Sequence, residues 1–403
     1  MSNPIRIGIA GLGTVGAGLI KIIQKNSNIL EARAGKPIKI IAVSALSKSK
    51  DRGVDLTAYE WEDDPIALAK RDDIDVFVEL IGGESGQAKK ATEEAIKHGK
   101  HVVTANKAML AIHGQELASA AENSGVNLRF EAAVAGGIPV IKTLTESLAG
   151  NNITRIMGVM NGTCNYILTR MEDTGLAYEE IFEEANQLGF LEADPNLDVG
   201  GIDAAHKLVL LSSIAYGTQV DFNGAILEGI GRITIEDIKA ASEMGYRIKL
   251  LGVSSLSDSG LSQTMRPCLV PLTSPLAQLN GGTNMIIIEG DAVGQIVLRG
   301  AGAGEGPTAS AVIADILDIA RGINIPVFGQ PANSLIKVPA ISTSVENSFY
   351  LRLNLKDEAG ILAKVSAALA NVGISIDRIR QEGHEKDAAP VIIVTHPTDR
   401  DTL

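Results

Sequence analysis

Three stretches of this 403-residue chain carry residue types at spacings that suit chemistry on a small molecule. The first is Gly11-Leu12-Gly13-Thr14-Val15-Gly16, directly after the alternating apolar run Ile5, Ile7, Ile9. A G-x-G-x-x-G turn between a strand and a helix suits a dinucleotide pyrophosphate. One glycine makes the tight turn, the next admits the phosphate to the backbone, and the third lets helix and strand pack closely. The following helix offers free N–H groups and the positive end of its dipole. A plain glycine-rich turn is the bland alternative. The second stretch is Thr104-Ala105-Asn106-Lys107, at the end of an expected strand, on the side where doubly wound sheets bind ligands. Lys107 there can polarise a carbonyl or bind a carboxylate, or be an ordinary surface lysine. The third, residues 187–207, is the densest cluster: Glu192, Asp194, Asp198, Asp203, His206 and Lys207 lead into the most apolar helix of the chain. Asp203 and Lys207 stand four apart and share a helix face. They form either a plain ion pair worth about 0.2–0.5 kcal/mol or the polar start of a buried helix facing a cavity. His206 lies roughly 100° round the helix and reads as structural.

Weaker signals accompany these. The second strand ends Val43-Ser44-Ala45-Leu46-Ser47-Lys48-Ser49-Lys50, with no acid at its tip to hold a ribose hydroxyl. Ser44, Lys48, Lys50 and Arg52 could hold a 2′-phosphate instead, or form a solvated loop, so NADP is expected over NAD. Asn161-Gly162-Thr163-Cys164 follows a strand and opens a helix. Cys164 is conceivable as a nucleophile, but no Cys–His spacing supports it, and a small polar turn accounts for the pattern. The glycine-rich run from Gly300 to Thr308 either closes over a cofactor or makes a tight connection.

The elements that must position these residues alternate. Strands are expected at 5–9, 38–46, 76–81, 101–104 and 127–131, with helices from 14 to about 26 and at 64–70, 88–98 and 114–123. That rhythm predicts an α/β fold with a Rossmann-type doubly wound parallel sheet. From about residue 136 it changes to helices at 137–148, 178–188 and 202–216 among strands at 155–160 and 284–289. This predicts an inserted α+β domain before the chain returns at 300–322. A polar stretch at 343–347 precedes a strand (349–357), an amphipathic helix (359–373) and two further strands. The expected domains are therefore 1–135 with 300–342, then 136–299, then 349–403.

Composition bounds the function. With 36 Lys+Arg against 48 Asp+Glu the chain carries a net charge of −12, which disfavours capture of nucleic acid or an anionic membrane. Hydrophobic residues at 45% and charged residues at 21% are ordinary for a globular protein. Two cysteines cannot build a disulfide framework or a four-cysteine zinc site. The start shows no signal-peptide pattern and no apolar run is long enough for a membrane span. The expectation is a cytoplasmic protein.

Six motifs in fixed order, GLGTVG, TANKAML, FEAAVAGGIPVI, GVMNGTCNYILTRM, LGFLEADPNLDVGGIDAAHK and GAGAGEGPTASAV, resemble bacterial homoserine dehydrogenase over about residues 5–340. The tail from 349 resembles an ACT domain, a ferredoxin-like βαββαβ amino-acid-sensing module, with the last helix and strand of that pattern missing; either the tail is truncated or the native protein has residues beyond this sequence. The resemblance implies reversible reduction of L-aspartate 4-semialdehyde to L-homoserine by NAD(P)H, on the route to threonine, isoleucine and methionine. It implies Lys207 as proton donor, Asp203 and Glu192 as substrate ligands, and Lys107 as a helper in the same pocket that also borders the cofactor. Gly11, Gly13, Thr14, Val15, Gly16, Ala45, Gly189 and Gly304 would line the cofactor. Backbone oxygens of Glu131, Val134, Gly136 and Ile138 would hold a monovalent cation, usually sodium. A homodimer or homotetramer and a threonine effector are further implications. Two other classes remain open: a non-catalytic dinucleotide sensor, and a semialdehyde dehydrogenase working through a cysteine thioester.

Overall fold

The computed structural model describes residues 3–191, 194–342, 346–381, 389–399 and 402. The first layer consists of β1 (Ile5–Ala10), α1 (Thr14–Ala34), β2 (Ile38–Ser44), β3 (Glu60–Glu62), α2 (Pro65–Ala69), β4 (Val76–Glu79), α3 (Gln87–Lys97), β5 (His101–Thr104), α4 (Lys107–Asn123) and β6 (Leu128–Arg129). Its strands form one parallel sheet in the order β3-β2-β1-β4-β5-β6. The strand order reverses between β1 and β4, and open α/β sheets bind ligands beyond the carboxyl ends of the strands at that point. Ile7, Ile9, Val76, Phe77 and Val78 are all buried. A parallel sheet is covered on both faces, so its strands read as nearly continuous apolar runs.

The chain then builds a second layer from α5 (Val140–Lys142), β7 (Ile153–Val159), α6 (Gly162–Thr174), α7 (Tyr178–Gln187), α8 (Pro195–Val199), α9 (Ile202–Tyr216), β8 (Ile226–Leu227), α10 (Ile235–Glu243), β9 (Tyr246–Ser257), β10 (Gly260–Pro271), β11 (Thr283–Gly290), β12 (Gly294–Ala301), α11 (Glu305–Arg321) and β13 (Ala340–Ile341). Its seven-stranded mixed sheet runs β12-β11-β7-β9-β10-β13, with β8 also on β10. Helix α9 packs between this sheet and α4, while α11 returns to pack along α1. Both margins of the returning stretch, residues 300–301 and 340–341, lie in the second sheet. The tail is β14 (Tyr350–Leu355), α12 (Ile361–Asn371), β15 (Ile376–Gln381) and β16 (Ala389–Thr395), a three-stranded antiparallel sheet with β16 central.

Several elements differ from the sequence expectation. Helix α1 continues past Asn26, where the backbone kinks, because Leu30 and Ala34 still bury against the core. Helix α4 begins at Lys107, not near 114, since Asn106 caps it by accepting the N–H of Met109. The helix expected over 137–148 is broken into the three residues of α5 and a π turn at Thr143–Ser147. The start at Val140 and not at 137 has an external partner: the Glu131 carboxylate accepts the first-turn N–H groups of Ile141 and Lys142 at 3.0 and 2.8 Å. The β9–β10 hairpin, the longest ladder in the molecule, has no counterpart among the expected strands. Among the described residues no helix is long and apolar enough to cross a membrane.

Candidate active site

The glycine turn has the geometry that its spacing demands. Gly11 sits at φ +96°, and a Cβ there would fall 2.3 Å from the Leu80 carbonyl oxygen at the end of β4. A Cβ on Gly16 would fall 2.1 Å from the Gly11 oxygen. Gly13 caps α1 with no side-chain bond and faces open space, so nothing blocks approach to the first-turn amides of Thr14, Val15 and Gly16. Ala45 is half-buried beside the turn and Ser44 is buried, which removes Ser44 from the proposed phosphate contacts. Arg52 reaches back to the Leu12 oxygen at 3.0 Å and donates to the Lys50 and Ser47 carbonyls, so its guanidinium holds the loop against the glycine turn. Lys48 and Arg52 both lie over the Trp61 ring.

Across the strand reversal stands Glu79, a wholly buried acid at the end of β4. It accepts the N–H groups of Ile81 and Gly82 and the Thr104 hydroxyl. Asn106 then takes Gly83 O through Nδ2 at 2.7 Å and donates its N–H to Thr104 Oγ1 at 2.9 Å. These bonds tie the β4 and β5 ends together and place Lys107 at the first position of α4. Glu79 was not foreseen, although a charge inside the apolar run VFVEL was a usable signal.

Packing of α4 on α9 brings Lys107 to Asp203, and the two lysines share one carboxylate. Lys107 Nζ lies 2.9 Å from Asp203 Oδ1, and Lys207 Nζ lies 2.7 Å from Oδ2. Lys207 also donates to the Met160 carbonyl at 2.9 Å. Burial pushes the Asp203 carboxyl up, but the charges and hydrogen bonds of Lys207 and Lys107 prevail and hold it well below the usual carboxylate range. Asn161 caps α6 and bridges to this centre: its Nδ2 donates to Asp198 Oδ1 at 2.9 Å. Asp198, named in the 187–207 cluster without a role, is therefore part of the centre, as is Asn161, which the sequence placed only in a small polar turn. Asn161 stands three residues before Cys164, the N-cap spacing, which would have placed its side chain at the helix start.

Cys164 is fully buried and donates to the Asp198 carbonyl at 3.2 Å. Burial, then the carboxylates of Asp198 and Asp203, push its thiol well up, the opposite of what a thiolate nucleophile needs. His206 packs its ring on Phe222 with centroids 4.5 Å apart, and burial lowers its pKa. Gly189 ends α7 at φ +75°, and the next residue, Phe190, stacks on Tyr166 at 4.4 Å while its carbonyl accepts the Thr163 hydroxyl at 2.9 Å. Glu192 lies outside the described residues.

Gly304 caps α11 at the end of the glycine-rich run. This run packs closely on its surroundings: a Cβ on Gly136 would meet Gly302 at 2.6 Å, and one on Gly18 of α1 would meet Glu305 at 2.6 Å. It thus clasps the segment holding Glu131, Val134, Gly136 and Ile138. There Ala135 and Gly136 are both left-handed, at φ 57° and 56°, and bend the chain back. The oxygens of Glu131 and Ile138 each accept one backbone N–H, leaving a lone pair on each. Burial and the nearby Asp315 push the Glu131 carboxyl up to about 8, and burial pushes Asp315 up to about 6. Among the described residues no three His, Cys, Asp or Glu side chains are arranged for a metal, so a cation here would depend on backbone oxygens.

Comparison with known proteins covers nearly the whole chain. Residues 11–131 match the family model "Homoserine dehydrogenase, NAD binding domain", 139–317 match "Homoserine dehydrogenase", and 349–403 match "ACT domain". A homoserine dehydrogenase of Neisseria gonorrhoeae is 43% identical across 98% of this chain and 92% of its own length. One from Pseudomonas aeruginosa is 42% identical over the same shares. The crystal structure of a homoserine dehydrogenase from Thiobacillus denitrificans superposes with a TM-score of 0.94 at 40% identity, covering 99% of this chain and 93% of that one. A hyperthermophilic archaeal homoserine dehydrogenase in complex with NADPH gives a TM-score of 0.67 at 26% identity, over 78% of this chain and 97% of its own.

Proposed function

The chain belongs to the homoserine dehydrogenase family of NAD(P)-dependent oxidoreductases, and on that premise we propose that its buried Lys107–Asp203–Lys207 centre catalyses reversible reduction of L-aspartate 4-semialdehyde to L-homoserine. The nicotinamide supplies or takes the hydride. A carbonyl that receives a hydride becomes an alkoxide and needs a proton and a nearby positive charge. Lys207 donates that proton to the substrate oxygen and Lys107 keeps positive charge beside it. Asp203 holds the two ammonium groups in register, which is the observation that carries the reading. Asp203 and Glu192 are the carboxylates for the substrate ammonium, with Gly189 and Gly304 on the nicotinamide side.

NADP is favoured over NAD because the β2 tip offers Lys48 and no acid, and the ratio of kcat/KM for NADPH and NADH measures it. Sodium or another monovalent cation would lie on the oxygens of Glu131, Val134, Gly136 and Ile138, where it would offset the negative charge of Glu131 and Asp315. The enzyme works in the cytoplasm on the route to threonine, isoleucine and methionine. It is a homodimer or homotetramer, supported by apolar residues left open on the tail, Val372 and Ile379 among them. Threonine inhibits it through the tail. The deciding experiment mixes the protein, the semialdehyde and NADPH and follows NADPH absorbance; no oxidation above the enzyme-free rate rejects the activity. A chain ended at Ser342 should keep turnover and lose threonine inhibition, and equal inhibition of both would remove the tail's sensing role.

A further inference from the structure

We propose that Asn161 is a positioning residue that sets the geometry of the lysine–carboxylate centre, a role that rests on the reading of that centre as the reacting site. Its amide does two things at once. Oδ1 accepts the N–H of Cys164 at 2.7 Å and caps α6, while Nδ2 donates to Asp198 Oδ1 at 2.9 Å and lies 3.5 Å from Asp203 Oδ2. The residue before it, Met160, grips Lys207 through its carbonyl at 2.9 Å. The junction between β7 and α6 thus holds the lysine by its backbone and the lysine's counter-carboxylate by the adjacent side chain.

Burial gives this arrangement its weight. Asn161 and Asp198 are 4% exposed, and Asp203 and Lys207 7%, so water cannot easily replace a missing donor. Without Nδ2 the donor beside Asp198 Oδ1 and Asp203 Oδ2 is gone, and repulsion between the two carboxylates would shift Asp203 and, with it, the ammonium groups of Lys207 and Lys107 from the point where substrate oxygen must be met. Proton transfer requires hydrogen-bond reach, and small displacements cost rate steeply.

Two substitutions separate this role from simple helix capping. Asn161→Asp keeps a capping oxygen at the positive end of a helix dipole, so a residue that merely caps would leave the protein as stable or more stable. Among Asp198 and Asp203 the same change removes a donor and adds a third carboxylate. The expected result is a melting temperature below wild type near pH 8, with the deficit shrinking toward about pH 5 as the added group takes a proton. Asn161→Ser also keeps a capping oxygen but lacks the longer amide arm. It should lower kcat/KM for the semialdehyde roughly 10- to 100-fold with NADPH affinity close to wild type, and lower the melting temperature because Asp198 loses a buried donor. An Asn161→Asp protein as stable as wild type near pH 8, or an Asn161→Ser protein with wild-type kcat/KM, overturns the role. A wild-type protein that does not oxidise NADPH with the semialdehyde rejects the activity instead, and the melting comparison still decides Asn161.

Discussion

Two buried charge clusters in this molecule use the same side-chain chemistry in different arrangements. At Asp203 two ammonium groups, Lys107 and Lys207, each touch one oxygen of the same carboxylate. Around Glu131 the cations sit on the neighbours: Lys142 meets Asp318 and Asp315 and Arg321 reaches Asp318, while Glu131 leans on backbone amides. Burial raises a carboxyl in both places. At Asp203 the pair of cations overcomes it and the group stays ionised; at Glu131 and Asp315 it prevails, and the groups rise to about 8 and about 6. Burial alone therefore does not set the direction of a shift; direct hydrogen-bonded contact with opposite charges does. The first arrangement suits a centre that must present fixed positive charge to a reacting oxygen. The second carries negative charge that a further cation would relieve.

Removing one cation from the first cluster should have the largest effect. Lys207→Ala leaves Asp203 with Lys107 alone and takes away the proton donor, so kcat should fall on the order of 10²–10⁴-fold with NADPH affinity little changed. Steady-state kinetics and cofactor titration measure both, and a kcat within a factor of about three would remove Lys207 from the chemistry.

The second cluster is probed through pH. Glu131 and Asp315 have folded pKa values above their ordinary ones, so each adds stability that is complete below about pH 4 and drains as pH rises through about 6 and then about 8. Asp203 has the opposite sign: its contribution is present above the ordinary carboxylate range and is lost as pH falls toward its own depressed value. Asp315→Asn should therefore flatten the fall in melting temperature between about pH 5 and 8 by several degrees. A slope matching wild type would mean that another group governs it.

The smallest effect tests the cation. At about pH 8 sodium chloride should raise the melting temperature by a few degrees over choline chloride at equal ionic strength, and the gap should close near pH 5 where the carboxyls are protonated. Equal melting in both salts would leave the segment from Glu131 to Ile138 without a cation role.

Legibility followed how local each signal is. The glycine turn, β5 ending at Thr104 and α9 over Ile202–Tyr216 could be read because each depends on a short window: a spacing, an apolar alternation, a helical period. The late start of α5 could not, because Glu131, ten residues before Ile141, accepts the first-turn amides of Ile141 and Lys142. The β9–β10 hairpin escaped because strands buried on changing faces lose the two-residue alternation that marks them.

The sequence by itself determined the glycine turn, the alternation of strands and helices in the first layer and the presence of Asp203 and Lys207 on one helical face, since these depend on residues within a few positions of one another. Tertiary structure alone decided that Lys107 is the third member of the centre, that Asn161 and Asp198 complete it and that Cys164 is sealed behind it. Those partners stand 34 to 96 residues apart along the chain. No propensity or spacing encodes that Asp203 will also meet Lys107; that follows from the packing of α4 on α9 and of α6 against both aspartates, where burial leaves each charge to find its partner inside the protein.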